Sequence, residues 1–278
     1  EEFLIVTPAA TIRRDLHWIN GHIPDNAHAI AIDVTVSESV LVVMGPEARS
    51  FLQPMIPQSL ANDDFAFGTM QQIEIGHAVA RVHRVTYVGE LGWELYVSAD
   101  MSAHVFEAIA QRRNDHPIAM CGIHALDSCR IENGFRHFGH DMSSEDHVLE
   151  AGLGFAVKDN KTPSKFGSMI GADAVAAKRN DGLSQRLMQF RLTDPDPLLY
   201  HNEAIYRDGA VIGYLTSGNY GHYLGGAIGL GYVKCNSIGE TAEAQLNAHY
   251  QIDVAGKLVD AEVSLRPLYD PKALQVKL

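Results

Sequence analysis

Near Asp181 the sequence changes character. Before it, helical and strand-like patterns alternate. After it, helix signals nearly vanish and apolar runs become short and turn-punctuated, at residues 187–192, 204–206, 210–214, 227–233, 242–246 and 257–263. Runs of that length close into a small antiparallel barrel or sandwich. The break predicts two domains, an α+β domain over residues 1–182 and an all-β barrel over 183–278, with 178–182 as the linker. With 278 residues, 46% of them hydrophobic, each part can bury a core.

Within the first domain, 10–19 reads as a helix carrying Leu16, Trp18 and Ile19 toward a core, and 31–44 as valine-rich strands. Gly45-Pro46 breaks them. Pro46-Glu47-Ala48 opens a helix, because proline lacks only an N–H that the first turn leaves unpaired. Residues 73–96 read as a β-hairpin, 102–111 as a helix, and 122–133 as a helix stopped by Gly134. The start, Glu1-Glu2-Phe3-Leu4-Ile5-Val6, enters a β-like apolar run without an initiator methionine, as a chain beginning mid-protein would.

Charge and cysteine content narrow the partners. The formal net charge is −12 and no basic run exceeds two residues, which disfavours nucleic acid and anionic membrane surfaces and leaves a small molecule. Cys121, Cys129 and Cys235 are odd in number and widely spaced, fitting neither a disulfide framework nor a metal knuckle. They read as buried fillers in a reducing compartment. No apolar stretch approaches the roughly 20 residues that span a bilayer.

The stretch Tyr87-Val88-Gly89-Glu90-Leu91-Gly92-Trp93-Glu94-Leu95-Tyr96-Val97 carries the functional argument. With Gly89 to Gly92 as a tight loop, Val88 pairs with Trp93 and Tyr87 with Glu94. Strand alternation then gives one apolar face of Val88, Trp93, Leu95 and Val97, and projects Tyr87 and Glu94 together from the other. An aromatic ring beside a carboxylate suits a flat heterocycle with two adjacent N–H donors, and a pterin has that edge. A solvated strand face gives the same alternation, so the hairpin alone leaves both readings open.

The string Tyr87-Val88-Gly89-Glu90-Leu91-Gly92-Trp93-Glu94 resembles the Tyr-Thr-Gly-Glu-x-Gly-φ-Glu motif of the aminomethyltransferase, or glycine-cleavage T-protein, family. Further segments are similar in the family's order: Ala125-Leu126-Asp127-Ser128-Cys129-Arg130-Ile131-Glu132-Asn133-Gly134, then Leu149-Glu150-Ala151-Gly152-Leu153-Gly154-Phe155, then Thr216-Ser217-Gly218-Asn219-Tyr220 through Ala227-Ile228-Gly229-Leu230-Gly231-Tyr232-Val233. The resemblance covers essentially the whole chain and implies a GcvT-like α+β folate-binding domain, incomplete at its N-terminus, followed by a β-barrel. It implies tetrahydrofolate as cofactor, with Glu94 anchoring the pterin and Tyr87 beside it. Leu126 stands where the T-protein has an arginine thought to meet the folate tail, and with Arg136-His137-Phe138-Gly139-His140-Asp141 this favours the branch fused to dimethylglycine and sarcosine dehydrogenases. FAD would then belong to a separate N-terminal domain. By the same resemblance the family's catalytic aspartate lies ahead of Phe3, so no catalytic residue is named.

Three further candidates have bland alternatives. Arg130, at the edge of the apolar stripe of its helix, can reach an anionic ligand tail or pair with Asp127 one turn back. Phe155 sits where the family places an aromatic near the folate, and equally suits a core. Tyr220 approaches the ligand or lies in a glycine-rich strand pair whose six glycines between 218 and 231 lack the phosphate-loop pattern. His137, His140, Asp141 and His147 invite a metal, but their spacing matches no zinc motif and none is assigned.

The expected activity is capture, on tetrahydrofolate, of the carbon released from an oxidised N-methyl amine, giving 5,10-methylenetetrahydrofolate in the cytoplasm or mitochondrial matrix. A folate-dependent demethylase of a sulfonium or methoxy substrate, a stand-alone aminomethyltransferase and a non-enzymatic folate-binding protein are the alternatives.

Overall fold

The computed structural model describes residues 2–114, 116–157 and 169–278, and the chain divides into two compact units. The first comprises Glu1–Thr86, Leu91–Ile118 and Val276–Leu278, and the second Tyr87–Glu90 and Ala119–Gln275.

The first unit runs α1 (Ile12–Gly21), β1 (Glu38–Met44), α2 (Ala48–Leu52), β2 (Met70–Ile75), β3 (Ala78–His83), β4 (Gly92–Ser98) and α3 (Ser102–Gln111). Its strands form one antiparallel sheet in the order β1-β4-β3-β2. One face is the core: Trp93, Leu95 and Val97 of β4 pack with Phe51 and Leu52 of α2, Ile73 of β2, Val82 of β3 and Val105 of α3. Full burial of Trp93 is worth several kcal/mol, and Trp93→Ala would cost about 3–5 kcal/mol. Over that ring, 5.7 Å from its centroid, lies the guanidinium of Arg84. Arg84 is buried and donates to the carbonyls of Phe65 (2.7 Å) and Val276 (3.1 Å), so the last residues of the chain close against the first sheet's unit.

Four expectations for this unit need correction. The first helix forms but buries none of its residues, and Trp18, expected toward a core, is 55% exposed. Phe3–Val6 forms no strand, with Phe3, Ile5 and Val6 all largely exposed. The strand expected over 31–44 begins only at Glu38, where β4 supplies a partner residue for residue from Glu38↔Ser98 to Met44↔Gly92. Alternation marks a face, but a strand also needs a neighbour for its backbone. The expected tight hairpin is a longer connection: β3 stops at His83, and Glu94 stands opposite His83 rather than Tyr87.

The second unit contains α4 (Ile123–Glu132), α5 (Ala172–Asp181), β5 (Gln185–Leu192), β6 (Ala204–Arg207), β7 (Ala210–Gly221), β8 (Gly226–Lys234), α6 (Ala242–Leu246), β9 (Tyr250–Val254) and β10 (Lys257–Ser264). The six strands form a closed antiparallel barrel in the order β10-β5-β8-β7-β6-β9, cored by Phe190, Leu192, Ile205, Leu215, Tyr250 and Ile252. Glycine permits its tightest crossing, since a Cβ on Gly213 would overlap the Tyr232 carbonyl oxygen. α4 ends as expected at Gly134, whose φ of +61° lets the Gly134 and Phe135 amides return to the carbonyls of Ile131 and Arg130. Two expectations fail here. Most of the linker at 178–182 is the last turn of α5, and 242–246 is helical because Thr241 caps it, its hydroxyl accepting from the Ala244 amide at 3.1 Å. Among the described residues no helix is long and apolar enough to cross a membrane.

Candidate functional site

Glu94 lies on the face of the first sheet opposite the core. Because β4 alternates, burying Trp93, Leu95 and Val97 sends Glu94 and Tyr96 to the other side. Glu94 is flanked by Val42 of β1 and His83 of β3, and Tyr96 by Val40 and Arg81. Val40 and Val42 are about half exposed, giving an apolar shelf beside the carboxylate. The Tyr96 hydroxyl donates to Glu94 Oε2 at 2.7 Å. Burial, and then the Glu94 carboxylate, push the Tyr96 phenol well above its usual range, so it stays a donor. Arg81 pairs with Glu38, which holds the guanidinium charged. Among the described residues, Tyr96 is the hydrogen-bond partner of the Glu94 side chain, and Oε1 keeps its accepting capacity.

Tyr87 falls in the second unit. Its hydroxyl donates to the Arg136 carbonyl at 3.1 Å, its ring lies nearly parallel to Phe135 with centroids 6.1 Å apart, and burial pushes its phenol up. The neighbouring loop is pinned: Asn133 Nδ2 donates to the Val88 carbonyl at 3.1 Å, and Gly89, at φ +78°, leaves a Cβ no room beside the Asn133 side chain.

Arg130 is buried and heavily engaged. Nε donates to Asp127 at 3.0 Å, Nη1 to Asp141 at 2.5 Å and to the Phe135 carbonyl at 3.2 Å, and Nη2 to Ser217 at 2.7 Å. The pair with Asp127 expected from helical spacing is therefore one of several. Asp141, also buried, takes the His137 amide at 2.9 Å and the Thr216 hydroxyl at 2.7 Å. Together Arg130 and Asp141 tie α4 to β7. Ser128, donating to the Tyr220 carbonyl at 2.6 Å, does the same, and Glu132, accepting the Tyr223 amide at 2.8 Å, ties α4 to the turn between β7 and β8.

Phe155 lies on a turn and is 86% exposed, so it is no core residue. Tyr220 is half-buried on β7, with the His222 ring edge-on at 5.3 Å. His137 stacks on His140 at 4.3 Å, and burial followed by the charges of His140 and Arg130 pushes its imidazole down. Among the described residues no group of three or more His, Cys, Asp or Glu could hold a metal ion.

Two residues escaped the sequence reading. Tyr96 follows Glu94 by two on one strand, a spacing that itself puts both on one face. Asp141 was visible only as part of a histidine-rich string, and nothing in that string points to Arg130.

Comparison with known proteins matches the chain in two stretches. Residues 1–161 match the GCVT N-terminal domain and residues 185–270 the glycine cleavage T-protein C-terminal barrel domain. The chain is 35% identical over its whole length to 4-methylaminobutanoate oxidase (formaldehyde-forming) of Paenarthrobacter nicotinovorans, covering 32% of that protein. It is 32% identical to the human mitochondrial dimethylglycine dehydrogenase over 88% of this chain and 28% of the relative. The aminomethyltransferase of Geobacillus sp. (strain WCH70) is 28% identical over 96% of this chain and 70% of its own length. Glycine cleavage system aminomethyltransferase T from Bartonella henselae shares the fold, with a TM-score of 0.75 at 20% identity over 93% of this chain and 66% of that one. The chain thus spans about a third of the length of the oxidase and dehydrogenase relatives.

Proposed function

The chain belongs to the glycine cleavage T-protein (GCVT) family, and on that footing we propose that it binds tetrahydrofolate and serves one-carbon transfer from an oxidised N-methyl amine. Glu94 accepts the adjacent N–H donors of the pterin, whose ring rests on the valine shelf of β1. The observation that carries this reading is a carboxylate on a sheet face with one oxygen open and apolar surface alongside. A solvated face needs no such apolar neighbours.

When bound, the reduced folate supplies the nucleophilic nitrogens that take up the carbon as 5,10-methylenetetrahydrofolate. This chain's part is to hold and orient, and no residue of it is assigned as the catalyst. A flavin-dependent part of a longer protein would generate the iminium, a division of labour supported by the oxidase and dehydrogenase relatives. Tyr87, Tyr220 and Phe155 are proposed as folate contacts on the family resemblance alone. Arg130 is assigned instead to holding α4 on the barrel, its donors being largely engaged there. The domain division at 182/183 is kept as part of the proposal, supported by β5 and the barrel-domain match both starting at residue 185. Cys121 is exposed and Cys129 and Cys235 are half-buried, so they are not the buried fillers expected, and as three free thiols they suit the cytoplasm or a mitochondrial matrix.

Calorimetric titration with tetrahydrofolate tests the reading. Saturable binding that weakens about 100-fold in Glu94→Ala is expected, since the pterin donors lose a charged acceptor. An unchanged dissociation constant in the variant would remove Glu94 from the site.

A further inference from the structure

We infer that Tyr96 is a positioning residue for Glu94, fixing the carboxylate so that its free oxygen is presented to the ligand. The inference deepens the folate reading and rests on it. A glutamate on an open sheet face has three side-chain torsions to fix and gains little from any one of them in water. Here one oxygen is already bound at 2.7 Å by a phenol two residues along the same strand. The phenol cannot wander: Tyr96 is 8% exposed and sits in register between Val40 and Arg81, with Arg81 itself anchored to Glu38. A chain of contacts Glu38, Arg81, Tyr96, Glu94 therefore crosses from β1 to β3 and back to β4 on one face.

The bond also divides the carboxylate's work. Each oxygen has two acceptor directions. Oε2 spends one on Tyr96 and keeps one, while Oε1 keeps both, so two adjacent ligand N–H groups can still be met. Without the phenol, ordering the carboxylate becomes a cost charged to ligand binding. Tyr96 touches Glu94 rather than the ligand in this scheme, and its effect must pass through Glu94.

That dependence is what a double-mutant cycle reads. Tetrahydrofolate affinity is measured for the whole chain as wild type, Tyr96→Phe, Glu94→Ala and the double variant, with ligand raised to saturation in each. Tyr96→Phe removes one oxygen and no apolar surface, and an unchanged thermal midpoint verifies that the fold is kept. Loss of a hydrogen bond of this kind is expected to weaken binding about 3- to 10-fold in the wild-type background, and to have no effect when Glu94 is already alanine. If Glu94→Ala weakens binding but Tyr96→Phe does not, the folate site stands and the positioning role is wrong. Equal weakening by Tyr96→Phe in both backgrounds overturns it too, since Tyr96 would then act by packing. If the chain binds no tetrahydrofolate, or Glu94→Ala binds as wild type does, the site reading fails and takes this inference with it.

Discussion

Arg130–Asp141 and Arg81–Glu38 are both arginine–carboxylate pairs, yet they sit in opposite surroundings. The side chains of the first are 2% and 0% exposed, and those of the second 27% and 25%. Around Arg130 and Asp141, donors and acceptors are extensively matched within the protein. On the sheet face near Arg81, the network ends at Glu94, whose Oε1 takes no hydrogen bond among the described residues. The contrast separates two uses of charge. A buried, satisfied pair holds elements together, and losing one partner leaves the other's desolvation unpaid. A partly exposed pair contributes little to stability, and in the proposed folate site it would shape what the ligand meets.

The comparison can be broken most easily at Asp141. Asp141→Ala should cost about 3–5 kcal/mol in denaturant unfolding, because Arg130 stays buried without its partner. A cost under about 1 kcal/mol would mean that the two pairs do not differ as argued. Glu94→Ala should show the reverse profile, with the roughly 100-fold loss of tetrahydrofolate affinity and a stability within about 0.5 kcal/mol of wild type.

An acid titration sharpens the buried side. Burial alone would push the Glu150 carboxyl up, but Lys178 at 2.7 Å and the Ser184 amide and hydroxyl hold it down to about 2. A depressed carboxyl stabilises the fold above its unfolded pKa, near 4.5, and loses that contribution as pH falls from there toward 2. Glu150→Gln should therefore lose roughly 2–3 kcal/mol at neutral pH and show a flatter decline between those limits, read by urea midpoints across the range. Smallest of all, Glu38→Gln should change stability by less than about 1 kcal/mol, and the difference should shrink in high salt.

Legibility in the sequence followed the range of the interactions. α3 was read to its bounds and α4 within a residue at each end, because helical periodicity and the Gly134 stop are local. Most barrel strands were legible for the same reason, while β9 was missed and α6 was mistaken for a strand, its five residues being too few to show a period. The register of β4 was not legible. It is set by pairing with β1, whose residues lie far away in sequence, and by β3 stopping at His83, neither of which a local pattern marks. Glu94 was singled out by its alternation and by the motif around it, and its side of the sheet came out as reasoned. Its cross-strand neighbour did not, since His83 takes the place expected of Tyr87.

The Arg84 bond to the Val276 carbonyl has a consequence for synthesis. A ribosome delivers the sheet strands of the first unit long before residue 276, so during translation this guanidinium lacks one of its native acceptors and has water or a non-native carbonyl in its place. Completion of this bond therefore waits for a residue 192 positions beyond Arg84. A chain stopped at residue 275 would leave Arg84 without its Val276 acceptor, and the strands around that guanidinium would stay more open to proteolysis during synthesis until residue 276 had been made.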